Sequence, residues 1–411
     1  MERINRNFKY LTILNLCTLG IPLITYPLMT NTIGLERFGN IIYVQSIVAY
    51  FIVFVGLGFN LSITKRISNI DSKDEINRIF WNVIYIKFLQ AIVLSIPFII
   101  ICYYLNLDLL LCSLLYLTVF ADVFFPVWYY QGIQEMKSIT VVNVIYRVLS
   151  LVLVVAFINE ENGVIIYALV FGVTPLLVNL INLFYISKRN GISLCSFDFS
   201  FCQLLFIETL PIFWGSITSI IKDRTNILLI GAFVGKSEVV IYDFIIKIIS
   251  LLSVFFSNLT NAQFPEIAKN KSSRLFKKYL RLIVLTSFVI YSGSVAVLYC
   301  FSEEIVLLVF GSRDHFSLFA FLSAILFLLI PLRSISYQIG LGILISNGYS
   351  RDYSNNLMLS ASLYVLFSVL LYFLGQMNVY TICLNLVITV ILELLHRLWI
   401  CRRRGVLYWI I

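Results

Sequence analysis

The sequence predicts an all-α polytopic membrane protein with about twelve transmembrane helices in two six-helix bundles, and three observations lead there. Of its 411 residues 60% are hydrophobic and only 12% charged, too apolar for a soluble domain with an ordinary surface. Cutting the chain at its polar breaks leaves apolar runs of about 20 residues or more, the length a helix needs to cross the hydrocarbon core. Lys and Arg then fall overwhelmingly in alternate gaps, as they do in the cytoplasmic loops of membrane proteins.

The first run, 8–30, follows Arg3, Arg6 and Lys9 and resembles a signal sequence, but its length suits an uncleaved first helix. Runs at 38–62, 81–104, 108–128, 139–158 and 163–186 complete one set of six. A second set follows at 204–233, 239–262, 276–301, 316–344, 355–375 and 379–400. Between the sets lies a polar, glycine-containing stretch that includes Lys188-Arg189-Asn190-Gly191. Two bundles, 1–190 and 204–411, are therefore expected around a cytoplasmic linker at 191–203.

One side of these spans carries Arg3, Arg6, Lys9, Lys65, Arg66, Lys73, Arg78, Lys137, Lys188, Arg189, Lys269, Lys271, Arg274, Arg351 and Arg402 to Arg404, among others. The other side has Arg37, Lys236 and Arg313, with Glu160, Glu161, Glu303 and Glu304. The bias places both termini in the cytoplasm and supports an even number of spans. A formal charge of +9 so distributed points to anionic lipid headgroups and not to nucleic acid, whose partners gather basic residues on one soluble face. The halves also echo each other, with Gly34 to Gly39 ending the first hairpin and Gly235 to Val240 in the same place in the second. Parallel six-helix repeats about an axis along the membrane normal are a transporter architecture whose site is expected between the halves.

Six cations sit inside the apolar runs: Lys87, Arg147, Lys222, Arg224, Lys247 and Arg333. Each would cost roughly 2.5 to 3.5 kcal/mol facing lipid at mid-helix, so water, a partner or an anionic ligand must meet it. Helix seven shows the plainest stripe, with Glu208, Pro211, Gly215, Thr218, Ser219, Lys222 and Asn226 recurring every three or four residues. Lys222 is its cavity residue. Arg224 lies about 200° around the helix and is expected to pair with an acid such as Asp223 unless Pro211 or Gly215 kinks the segment. Helix one presents Thr12, Asn15, Thr18, Pro22 and Thr25 on one face, helix five Asn143 and Arg147, helix eight Asp243 and Lys247, and helix ten Arg333, Ser336 and Tyr337. Simpler readings stand beside these. Lys87, about 9 Å above its helix start, can snorkel. Asp243 with Lys247, and Glu393 with Arg397, have the i,i+4 spacing of a mutual ion pair.

The eight cysteines are scattered without a C-x-x-C pair, which implies neither a metal nor a disulfide scaffold. His315 and His396 are read as solvated, with no neighbouring pattern for catalysis or metal binding. Gly56-Leu57-Gly58 lies within an apolar helix, outside any strand-turn-helix context for a nucleotide. No enzyme activity and no cofactor are expected. The energy source is then a gradient, with H⁺ or Na⁺ as the coupling ion, or the substrate's own concentration difference.

Several stretches resemble bacterial polysaccharide-biosynthesis flippases, the Wzx-type O-antigen transporters: Pro22 to Leu28, Gly34-Leu35-Glu36-Arg37-Phe38-Gly39, Gln45-Ser46, Gly58-Phe59-Asn60 and Lys65-Arg66-Ile67. Pro126 to Lys137 is similar to their stretch leaving helix four, and Phe264 to Ile267 to a segment after helix eight. The resemblance implies membership of the multidrug, oligosaccharidyl-lipid and polysaccharide exporter superfamily, a MATE/MurJ-like fold and a cationic central cavity, with Lys247 at a basic position of the pattern. It implies alternating-access transport of an undecaprenyl-pyrophosphate-linked oligosaccharide across the inner membrane, with a polysaccharide polymerase and chain-length proteins as partners. On this reading Lys65 and Arg66 draw the anion in. Lys222, Arg333, Lys247 and Arg147, with Lys87 and Arg224, hold it. Asp122, Asp223, Asp243 or Glu208 carries the coupling ion. The rivals are a MATE-like organic-cation antiporter, which would want acidic cavity residues, and a membrane polysaccharide polymerase, which would want a longer external loop than 302–315.

Overall fold

The computed structural model describes residues 2–70, 72–270, 273–406 and 408, and within them every regular element is helical. Lys271, one of the topology-setting cations, lies outside the described residues, as do the side chains of Arg3, Arg6, Lys9, Thr12 and Ser219. Among the described residues, twelve segments are long and apolar enough to cross a membrane, which is the expected architecture.

Helix α1 (Glu2–Ile33) holds Pro22 and Pro27. Helix α2 (Leu35–Gly56) and α3 (Phe59–Ile67) form one span that the sequence reading took as continuous. It breaks at Leu57, with φ of 43°, and Gly58, with φ of 76°. The break has a packing reason: a Cβ on Gly58 would come 2.7 Å from the Ile212 side chain. Helix α4 (Lys73–Tyr104) begins at Ser72, whose side chain accepts the Glu75 N–H, and carries Asp74 and Glu75 on its positive first turn. Asp108 caps α5 (Leu109–Val123) by accepting from the Leu110 N–H at 2.8 Å. Pro126, which lacks a donor, separates it from α6 (Val127–Gly132). Helices α7 (Met136–Phe157) and α8 (Gly163–Asn190) follow, the latter ending on left-handed Gly191.

Helix α9 (Phe199–Phe233) runs through Pro211 and Gly215 as one helix. Helix α10 (Lys236–Asn270) precedes α11 (Ser273–Phe310), which bends at Phe301 and continues. The helix therefore takes up much of the external loop expected at 302–315. The tenth span is divided into α12 (Phe316–Leu326), α13 (Leu329–Ile339) and a π-helical segment, Gly340–Ile345. Helix α14 (Ser350–Phe373) and α15 (Val379–Arg403) complete the chain, α15 opening with a capping box between Asn378 and Thr381.

The chain divides into two compact units, residues 1–220 and 221–411, with the boundary inside α9. In the first, α5 lies against α8 so closely that Gly172 meets the Leu114 backbone, the small-residue contact common between membrane helices. Phe51 meets Phe98 and Tyr116 edge-on, and with the tilted Phe98–Tyr116 pair they form an aromatic core between α2, α4 and α5. The second unit packs Phe276, Leu280, Ile339, Ile343 and Ile400 into one cluster. Val93, Ile96, Phe184, Leu308 and Phe373 point outward, apolar surface suited to lipid and not to water.

Candidate functional site

In the second unit, three consecutive residues of α9 project to different places because successive side chains turn by about 100°. Lys222 donates to Glu393 Oε2 on α15 at 2.5 Å and to Ser360 Oγ on α14 at 3.2 Å. Its side chain is only 12% exposed. Asp223 receives Arg333 Nη2 of α13 at 3.2 Å. The acid suggested as a partner for Arg224 is thus taken by Arg333. Arg224 has neither an ion pair nor a hydrogen bond among the described residues, and it exerts its charge on Lys247 of α10. Lys247 in turn donates to Asp243 Oδ2 at 2.5 Å, the i,i+4 pair that the spacing anticipates.

Glu393 is the hub. Its Oε1 also accepts from Arg397 Nη2 at 2.7 Å and from Ser336 Oγ at 3.3 Å, while Ser360 Oγ donates to Oε2 at 3.0 Å. Arg397, 2% exposed, spends its remaining donors on Asn356 Oδ1 and the Ser336 carbonyl. One carboxylate therefore balances two buried cations, and five further hydrogen bonds hold them in place. Above it, Asn226 donates to Tyr242 Oη at 2.7 Å and accepts from Tyr364, a buried and neutral polar layer. Sequence reasoning gave Glu393 only its local partner, Arg397. An acid near the middle of an otherwise apolar run was the signal that it does more.

The first unit treats its cations differently. Lys87 does not snorkel: its side chain is 4% exposed and donates to Asp122 Oδ2 at 2.8 Å and to the Asp122 carbonyl at 2.7 Å. Beside it on α4, Phe88 packs against Phe120 and Phe124 at the end of α5. Arg66 pairs with Glu208 Oε2 at 2.9 Å and stacks on Phe201, while Lys65 is exposed. Among the described residues, Arg147 has no carboxylate partner. It lies over the Tyr146 ring at 5.0 Å and donates weakly to Asn143 Oδ1 and the Thr18 carbonyl, each at 3.4 Å.

The four carboxylates proposed for ion coupling, Asp122, Asp223, Asp243 and Glu208, are thus each engaged by a cation expected to bind substrate. The cations are not bare. Carboxylates occupy seats that an anionic ligand would take, so binding here means exchanging one counter-charge for another. His396, expected to be solvated, is instead stacked on Trp399 at 5.6 Å and bonded through Nδ1 to Asn356 at 2.9 Å.

Comparison with known proteins narrows the reading. Residues 4–271 match the family described as "Polysaccharide biosynthesis protein". A protein of Escherichia coli (strain K12) described as "Putative O-antigen transporter" is 23% identical over 382 residues, covering 88% of each chain. Among solved structures, the lipid II flippase MurJ in an inward closed conformation superposes with a TM-score of 0.75 at 13% identity, over 95% of this chain and 87% of that one. A multidrug resistance MATE family transporter in its inward-facing conformation gives 0.66 at 15% identity, over 94% and 98%. Both likenesses are of fold.

Proposed function

We propose, from the premise that this chain belongs to the polysaccharide biosynthesis protein family, that it flips an undecaprenyl-pyrophosphate-linked oligosaccharide repeat unit, of O-antigen or capsule type, across the bacterial inner membrane. The observation that carries the reading is the charge of the second unit's spans. Among the described residues, the four cations Lys222, Lys247, Arg333 and Arg397 pair with three acids, Asp223, Asp243 and Glu393, and Arg224 adds a fifth positive charge. A transporter of organic cations would need the opposite balance, whereas a pyrophosphate needs this one.

The mechanism is ion-pair exchange. The pyrophosphate meets the exposed Lys65 and then Arg66, which is held only by a partly exposed carboxylate. It takes Arg224 without competition and displaces Asp223 from Arg333 and Asp243 from Lys247. The more deeply buried Lys222 completes this set in the second unit, and Arg147 is the first unit's cation for the same anion. The released carboxylates, Asp223, Asp243 and Glu208, are the groups that a coupling H⁺ or Na⁺ would neutralise. The path opens alternately to cytoplasm and periplasm, with both termini cytoplasmic, and the bundles 1–190 and 204–411 moving about the linker 191–203. The polyprenyl tail stays in lipid. A polysaccharide polymerase and chain-length proteins would receive the product.

The test is complementation of a strain lacking its own repeat-unit flippase. The Lys222→Glu, Arg333→Glu double variant, scored per molecule that reaches the membrane, should fail to restore surface polysaccharide and accumulate the lipid-linked intermediate. Normal display would remove these cations from the site.

A further inference from the structure

Away from these pairs, the start of α14 and the end of α15 enclose a cavity of about 150 Å³ lined by Asp352, His396, Trp399, Arg403 and Arg404, among others. Its one acid is already satisfied. Arg404 donates to Asp352 through Nε at 2.6 Å and Nη2 at 3.1 Å, and its guanidinium lies over Tyr349. Arg403 touches only the Trp399 ring, at 5.5 Å, and none of its N–H groups has a partner among the described residues.

The histidine adds a donor of known orientation. Asn356 Oδ1 must face Arg397, because Arg397 Nε has only protons to offer, and this turns Asn356 Nδ2 toward His396 Nδ1. Nδ1 is then the acceptor. The ring proton of the neutral imidazole belongs on Nε2, the nitrogen turned away from Asn356. With the indole N–H of Trp399, the lining offers three kinds of unspent donor and no free acceptor charge. The exposed Trp399 and Leu395 beside the Arg402-Arg403-Arg404 run put this lining at headgroup level, where Trp and basic residues concentrate.

We infer that this cavity binds a phosphate group, that of an anionic phospholipid headgroup, through Arg403, Trp399 and His396. At about 30 Å³ of liquid volume per water, it has room for a phosphate and its hydrogen-bonded shell. Phosphate binding here does not require the transport reading, though Asn356 joins His396 to Arg397.

The experiment is native mass spectrometry of the full chain in detergent with phosphatidylglycerol, phosphatidylethanolamine or inorganic phosphate added. The unaltered protein should retain phosphatidylglycerol in preference to phosphatidylethanolamine. Arg403→Ala should reduce that retention about fivefold, while Arg402→Ala, an exposed neighbour outside the cavity, should leave it unchanged. Asp352→Asn frees Arg404 and should raise retention, a gain that no misfolded variant would give. Arg403-dependent binding of inorganic phosphate without lipid would support the site with a soluble phosphate ester as its occupant. Equal losses from Arg403→Ala and Arg402→Ala, or no gain from Asp352→Asn, would overturn it.

Discussion

The two units manage buried charge in opposite ways. In the first, Lys87 and Asp122 form a closed pair: one cation, one acid, 35 residues apart, with the lysine taking the acid's carbonyl as well as its carboxylate. In the second, Glu393 is shared by Lys222 and Arg397, and Ser336, Ser360 and Asn356 extend the connection across two further helices. A closed pair has nothing left to give. A shared acid with surplus cation around it can release one partner while keeping the other, which is what an exchangeable anion site requires.

The largest expected effect tests the hub. Glu393→Ala leaves two cations buried without a counter-charge and should destabilise the purified protein by about 3–5 kcal/mol, read as a large drop in thermal midpoint. If the midpoint barely moves, the network is not shared in the way described. The Lys222→Glu, Glu393→Lys swap should recover part of that loss without recovering transport, because it returns the pair and not the surface seen by substrate. The closed pair gives the matching contrast. Asp122→Ala should cost about 3 kcal/mol, whereas Lys87→Met with Asp122→Leu should be close to neutral and should keep transport, since a purely structural pair can be replaced by packed apolar groups. Loss of transport in that stable double variant would give Lys87 and Asp122 a working role.

Arg224→Gln sharpens the comparison from the other side. With no partner to orphan, it should leave stability within about 0.5 kcal/mol and lower complementation, a dissociation of the two readouts that none of the paired cations can show. The smallest effect lies outside the spans. The Phe201 N–H and then Arg78 hold the Asp198 carboxyl below the usual carboxylate range. Its folded-state value lies below the unfolded one, so its contribution is full above the ordinary aspartate range near about pH 4 and fades as pH falls through the lowered value. Melting of the wild type and of Asp198→Asn should therefore converge in acid and separate slightly at neutral pH.

What the sequence could disclose follows the range of each interaction. The twelve spans were legible because apolar length is a local property, and so were the pairs Asp243–Lys247 and Glu393–Arg397, one helical turn apart. Lys222 with Glu393 and Arg333 with Asp223 were not, although all four residues were in view. Periodicity says which side of a helix a residue occupies, but not which helix stands opposite. The break at Leu57 and Gly58 was hidden for the same reason, since it answers to Ile212, far along the chain. The snorkelling reading of Lys87 failed because distance from a helix end was counted and the acid on the neighbouring helix, Asp122, was not.

The π-helical segment, Gly340–Ile345, follows α13 directly. A turn of that kind holds one residue more than an α-turn would. Arg333 and Ser336 before it, and Ser346 beyond it, thus obey two different phases along a single span. Removing one residue between 340 and 345 should tighten the wide turn and leave both phases as they are, while the same deletion in α13 would swing every later side chain of the span to a new bearing. The span carries its own slack, placed between its charged half and its exit.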